Sequence, residues 1–158
     1  MKLLKMAVFT GLLCLQSNGD EMKEARDVYS GYSAREIAKS TSEELSKSAP
    51  MRVDEISYIA SSNYVDSTVV VNTIIVEDSL IKMAYIDTKK MTKDEKSKFA
   101  KNLIDNMRKL QLNALCTTPM MRAAMEKGVS YDYVYRWDNF TYLGKVNIDN
   151  KACMNSKL

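Results

Sequence analysis

The sequence predicts an α+β domain: an antiparallel sheet of about four to five strands, with helices packed on one face and one disulfide. Three observations carry this. Apolar residues recur with helical period in two capped segments, 34–49 and 93–116. β-Branched and aromatic runs fill 56–76 and 130–148. Cys116 and Cys153 bracket the end of the long helix and the last pair of strands. Helix, strands, long helix, strands is an order that segregates helices to one side of an antiparallel sheet.

The chain begins with Lys2 and Lys5, the apolar run Met6–Leu15, and then Gln16-Ser17-Asn18-Gly19. A charged start, an apolar stretch of about ten residues and a small polar exit are the parts of a secretory signal peptide. About ten residues are too few to cross a bilayer. Residues 1–19 are therefore assigned to a signal peptide, in preference to a buried N-terminal helix. The mature chain is expected to be exported and periplasmic. Export brings Cys116 and Cys153 into an oxidising compartment, where they can pair. Cys14 has two readings. The preferred one is an apolar residue inside a discarded signal. The other is a lipidated anchor at the outer membrane, with Leu15–Glu21 as its polar tether.

Residues 20–32 are polar, with Met22, Ala25, Val28 and Tyr29 at helical spacing and Gly31 as an interruption. They read as a tether or a short frayed helix ahead of a single domain at 33–158. Ser33-Ala34-Arg35-Glu36 is a capping box. Ile37, Ala38, Thr41 and Leu45 then line one helix face, and Pro50 ends the helix near Ala49. Ile56–Ala60 and Thr68–Val76 read as a hairpin joined through Ser61-Ser62-Asn63 and Asp66-Ser67. Leu80–Ile86 reads as a third strand in preference to a helical turn.

Thr92-Lys93-Asp94-Glu95 is a second capping box. Behind it Phe99, Leu103, Met107, Leu110 and Ala114 form an apolar stripe, widened by Ile104 and Leu115. Lys96, Lys101, Asp105 and Arg108 cover the other face. Pro119 breaks this helix, and a short helix from Met120 to Lys127 stops at Gly128. Ser130–Trp137 and Phe140–Ile148 form the closing hairpin around Asp138-Asn139. Tyr131, Tyr133, Tyr135 and Trp137 fall on one strand face, because side chains alternate.

The chain has 158 residues, 46% of them hydrophobic, which is enough for one buried core. Its net charge of +3 is interspersed and forms no basic stripe with aromatics, so nucleic acid is not an expected partner. Histidine is absent, which removes the commonest general base and metal ligand. Asp87, Asp94 and Glu95 fall in a loop and at a helix start, where acidic residues complement the helix dipole. No catalytic residue, metal or cofactor is assigned, and the chain is expected not to be an enzyme. Asn139-Phe140-Thr141 fits the glycosylation acceptor pattern, but a turn accounts for it. The eleven methionines read as ordinary core or, at Met120 and Met121, as lining for an adaptable groove. The aromatic ladder reads as a sheet face under a helix.

The order of elements and certain residues resemble one family. These residues are Val69, Val71, Ile74 and Ile75; Leu115-Cys116-Thr117-Thr118-Pro119; Met121-Arg122; Met125; Glu126-Lys127-Gly128-Val129-Ser130-Tyr131; and Cys153. The resemblance spans 34–153 and points to the small disulfide-bonded pilotin lipoproteins of the bacterial type II secretion system, of the α/β-sandwich class. It implies a non-enzymatic protein that binds a short amphipathic helix at the end of an outer-membrane secretin subunit. It also implies escort of that subunit to the outer membrane through a lipid anchor. Carried onto this chain, the disulfide is Cys116–Cys153 and the lipid-bearing residue Cys14. Leu13 departs from the small residue that usually precedes a lipidated cysteine. A groove for the partner helix is expected between Ile37, Thr41 and Leu45 and the sheet, or beside Met120 and Met121. The alternative is a soluble periplasmic inhibitor, immunity or phage-type exclusion protein of the same fold.

Intact mass or N-terminal sequencing of the exported protein is expected to show loss of roughly the first 17 to 19 residues. Retention of Met1 contradicts the signal assignment. A mature chain that starts at acylated Cys14 selects the anchor.

Overall fold

A computed structural model describes residues 19–84 and 86–156. Most of the assigned signal segment, Cys14 included, lies outside the described residues. The elements are α1 Gly19–Tyr29, α2 Ala34–Ser48, β1 Met51–Arg52, β2 Ser57–Val65, β3 Thr68–Ile75 and α3 Glu77–Ala84. A 3-10 turn at Thr88–Lys90 follows, then α4 Lys93–Thr117, α5 Pro119–Glu126, β4 Ser130–Trp137, β5 Tyr142–Ile148 and α6 Asn150–Asn155.

Five strands make one α+β sheet in the order β1-β2-β3-β4-β5. Three of the pairs are antiparallel. β3 and β4 are parallel, with Val69 beside Tyr131 and Ile75 beside Trp137. The sheet is thus mostly antiparallel, as expected, with one parallel pair. Residues 76–129 carry the chain from the end of β3 back to the start of β4, the long crossover a parallel pair needs.

Alternation sends Val69, Val71 and Ile75 to the same face as Tyr131, Tyr135, Val146 and Ile148. All of these are buried. On this side α2 lies over β2 and β3, and α4 over β5. The opposite face is wetter. There Lys145 pairs with Asp132 at 2.6 Å, and the Asn147 amide donates to the same carboxylate at 2.7 Å.

Both capping boxes form. The Ser33 amide donates to Glu36 Oε2 at 2.9 Å while the Glu36 amide donates to Ser33 Oγ at 3.3 Å. The Thr92 and Glu95 amides make the equivalent pair at 2.8 and 3.3 Å. α2 stops at Ser48, with Ala49 extended ahead of Pro50.

Several expectations are revised. Of the two readings of residues 20–32, the structure shows the helix, α1. Its Ala25 and Tyr29 are buried, and α1 packs on α5. There the Arg26 guanidinium donates to both Glu126 oxygens, at 2.7 and 3.1 Å. Residues 77–84 are a helix, α3, rather than a strand; Glu77 and Asp78 sit in its first turn, where they favour the dipole. The apolar stripe of α4 keeps its expected line through Phe99, Leu103 and Met107 and departs from it in the second half of the helix. Met107 and Leu115 are buried and Ile104 faces the sheet, whereas Leu110 is 63% exposed. Cys153 lies on α6 rather than at a strand end, and Asp149 caps that helix by accepting from the Ala152 amide at 2.8 Å.

Cys116 at the end of α4 is bonded to Cys153, with Cα atoms 5.5 Å apart. The bond closes a long loop, worth about 4 kcal/mol in the chain-entropy model. α4 approaches β5 closely at Gly144. A Cβ there would meet Ile104 Cγ1 at 2.5 Å and Cδ1 at 2.8 Å.

Two stability predictions follow from this packing. Cys116→Ser is expected to lower unfolding free energy by about 2–5 kcal/mol, read by denaturant titration. Gly144→Ala is expected to cost about 1–3 kcal/mol by overpacking Ile104; an unchanged midpoint contradicts the close approach.

Candidate functional site

Ile37, Thr41 and Leu45 are 3%, 2% and 8% exposed. They are buried between α2 and the sheet. Polar contacts help hold α2 down. Ser46 Oγ donates to the Ser62 carbonyl at 2.5 Å, and Ser62 Oγ donates to Ser42 Oγ at 3.3 Å. Met120 and Met121 are half-buried in the first turn of α5. Met121 is engaged by the sheet: its Sδ accepts from the Tyr131 hydroxyl at 3.2 Å.

The aromatic ladder lies under helices, as expected from the sequence. Tyr131 and Tyr135 are 2% and 1% exposed. Burial raises the phenol pKa of Tyr131 and Tyr133 far above the ordinary tyrosine value. Burial pushes Tyr135 up to about 12, partly offset by the neighbouring Gln111 amide. That amide falls short of hydrogen-bond geometry, and the buried Tyr135 hydroxyl has no partner among the described residues.

The ladder ends at Trp137, the chain's single tryptophan. Here α3, the 3-10 turn, the first half of α4 and the β4–β5 hairpin enclose a cleft of about 280 Å³. Phe99, Ala100 and Trp137 supply its apolar lining, and Glu77, Lys96, Asn139 and Thr141 its polar edge. The Phe99 and Trp137 rings stack 6.5 Å apart at 11°. Three carboxylates near the cleft, Glu77, Asp78 and Asp87, are engaged. Thr88 donates its hydroxyl to Glu77. Asp78 pairs with Lys89 and Asp87 with Lys90, each at 3.0 Å. Lys96 has no ion-pair partner among the described residues.

The hairpin beside the cleft is closed by two backbone bonds. The Phe140 amide donates to the Trp137 carbonyl at 2.8 Å, and the Trp137 amide to the Thr141 carbonyl at 2.9 Å. Phe140 sits at a φ of 65° and is 69% exposed. The loop Asp138-Asn139-Phe140 ends in a left-handed residue, a position that glycine usually fills. Phenylalanine there costs about 1–2 kcal/mol. The cleft therefore combines an aromatic floor, one unpaired cation and a strained aromatic at its lip. That set suits an apolar side chain accompanied by an anion.

Sequence reading placed Phe99 and Trp137 in separate elements and did not bring Lys96 or Glu77 to them. The single tryptophan at the end of the ladder, next to a turn, was the local signal for this site. Among the described residues no group of three or more His, Cys, Asp or Glu side chains is placed to hold a metal ion. None of the described helices is long and apolar enough to cross a membrane.

No protein-family model matches the chain, and no curated protein matches it. Three solved structures share its fold. One is a protein of Pseudomonas aeruginosa described as secreted, with TM-score 0.58 and 9% identity over 87% of this chain and 99% of that one. The second is EpsS, the pilotin of the Vibrio vulnificus type 2 secretion system, with TM-score 0.58 and 12% identity over 88% of this chain and 100% of that one. The third is AspS, the type II secretion system pilotin of Vibrio cholerae, with TM-score 0.53 and 14% identity over 84% of this chain and 98% of that one. The architecture is thus the one the pilotin resemblance implied.

The buried tyrosines set an alkaline limit. Unfolded tyrosines ionise near pH 10, whereas these three keep their protons in the fold. Their contribution to stability is complete below about pH 10. It is lost as pH rises through the folded values, that of Tyr135 being about 12. A tyrosinate absorbance titration is expected to show part of the nine tyrosines ionising late, together with unfolding. Ionisation of all nine near pH 10 in a folded chain contradicts their burial.

Proposed function

We propose that the mature chain is an exported, non-enzymatic binding protein that docks a short amphipathic helix from the end of an outer-membrane secretin, in the manner of a pilotin. The observation that carries this reading is the shared architecture. Nearly the whole chain superposes on two pilotins, and the superposition uses nearly all of each of them. The Cys116–Cys153 bond supports an oxidising compartment. The cleft at Phe99 and Trp137 supports a protein partner, since aromatic side chains in a partly open recess are frequent binding anchors.

The test is calorimetric titration of the mature domain with synthetic C-terminal peptides of the secretins found in the same organism. Saturable binding with a negative heat-capacity change is expected, as for burial of an apolar helix face. Absence of heat with every such peptide overturns the secretin reading.

A further inference from the structure

Resting on that reading, we propose that the cleft between α4 and the β4–β5 hairpin seats one apolar side chain of the partner helix, while Lys96 pairs with an acidic residue one turn away on the same helix. The cleft, at about 280 Å³, has room for an apolar side chain. Its floor is the stacked pair Phe99 and Trp137, rigid and apolar.

Charge argues for an acidic partner. α4 carries six Lys or Arg against three Asp or Glu, and none of the six cations lies in an ion pair among the described residues. Lys96 is the member of that set at the cleft, where Glu77, the other lining charge, accepts from Thr88. A helix with acidic residues beside its apolar anchor is drawn to this end of α4 and held there in one register. Residues three or four apart on a helix share a face, so an anchor and an acid one turn apart reach the cleft and Lys96 together. Phe140, 69% exposed between the lining residues Asn139 and Thr141, adds apolar surface beside the cleft.

Trp137 reports on the site directly, because it is the only tryptophan in the chain. The experiment titrates the mature protein with a tryptophan-free secretin C-terminal peptide, following Trp137 emission and calorimetric heat in parallel. A blue shift that saturates at the calorimetric Kd is expected. Phe99→Ala and Lys96→Glu are each expected to weaken binding by about tenfold or more. Lys96 is exposed, so its reversal leaves the core untouched and stands if Phe99→Ala disturbs folding. Exchange of the peptide's acidic residue for lysine is expected to restore binding to Lys96→Glu. Full-affinity calorimetric binding by Lys96→Glu with silent Trp137 emission places the helix elsewhere; it overturns the cleft proposal and leaves the secretin reading standing. Absence of calorimetric binding overturns both.

Discussion

β3 and β4 lie side by side in parallel, Thr68 beside Ser130 and Ile75 beside Trp137, and this pairing obliges residues 76–129 to travel back over the sheet. The strand faces decide which side they take. Val69, Val71 and Ile75 share a face with Tyr131 and Tyr135, and that face must be covered. α4 does most of the return, with its Ile104 seated on the bare backbone of Gly144. α5 completes it and hands the chain to β4. The cleft lies where this crossover leaves the carboxyl end of β3, a place where parallel strands commonly leave a crevice.

The remaining interactions hold that arrangement in place. Two capping boxes satisfy orphan amides at the starts of α2 and α4. The disulfide ties the far end of α4 to α6, so the crossover helix is fixed at its C-terminus as well as by its packing. Surface ion pairs add little. The Arg26 side chain is 58% exposed, and solvent screens pairs of that kind. Its value lies in registering α1 against α5, elements 100 residues apart in sequence.

Features decided by neighbours in sequence were legible without coordinates. Both capping boxes, the Asp66-Ser67 and Asp138-Asn139 turns, the stop at Gly128 and the tyrosine face depend on a few adjacent residues. Features decided by distant contacts were not. The parallel pairing of β3 and β4 has no local signature. α1 reads as frayed because the surface that buries Ala25 and Tyr29 comes from α5. The apolar run after Ser79 suits strand and helix alike, and Glu77 and Asp78 were the overlooked sign of a helix start. In α4 the first half of the stripe, Phe99, Leu103 and Met107, packs on the core, whereas in the second half Leu115 takes the place of the exposed Leu110 and Ala114. The helical spacing of Ile37, Thr41 and Leu45 identifies the buried face of α2. The cleft residues Glu77, Thr88, Lys96 and Trp137 come from four elements, and only the crossover brings them together.

A fold shared with two pilotins thus carries one particular recess at the end of its crossover helix. Backbone and indole amide NMR of the isotope-labelled mature protein, titrated with a secretin C-terminal peptide, tests binding and location in a single measurement. Saturating shifts of the Trp137 indole N–H and of amides in the first half of α4 and the β4–β5 hairpin are the predicted result. A spectrum that stays unchanged at excess peptide contradicts the account.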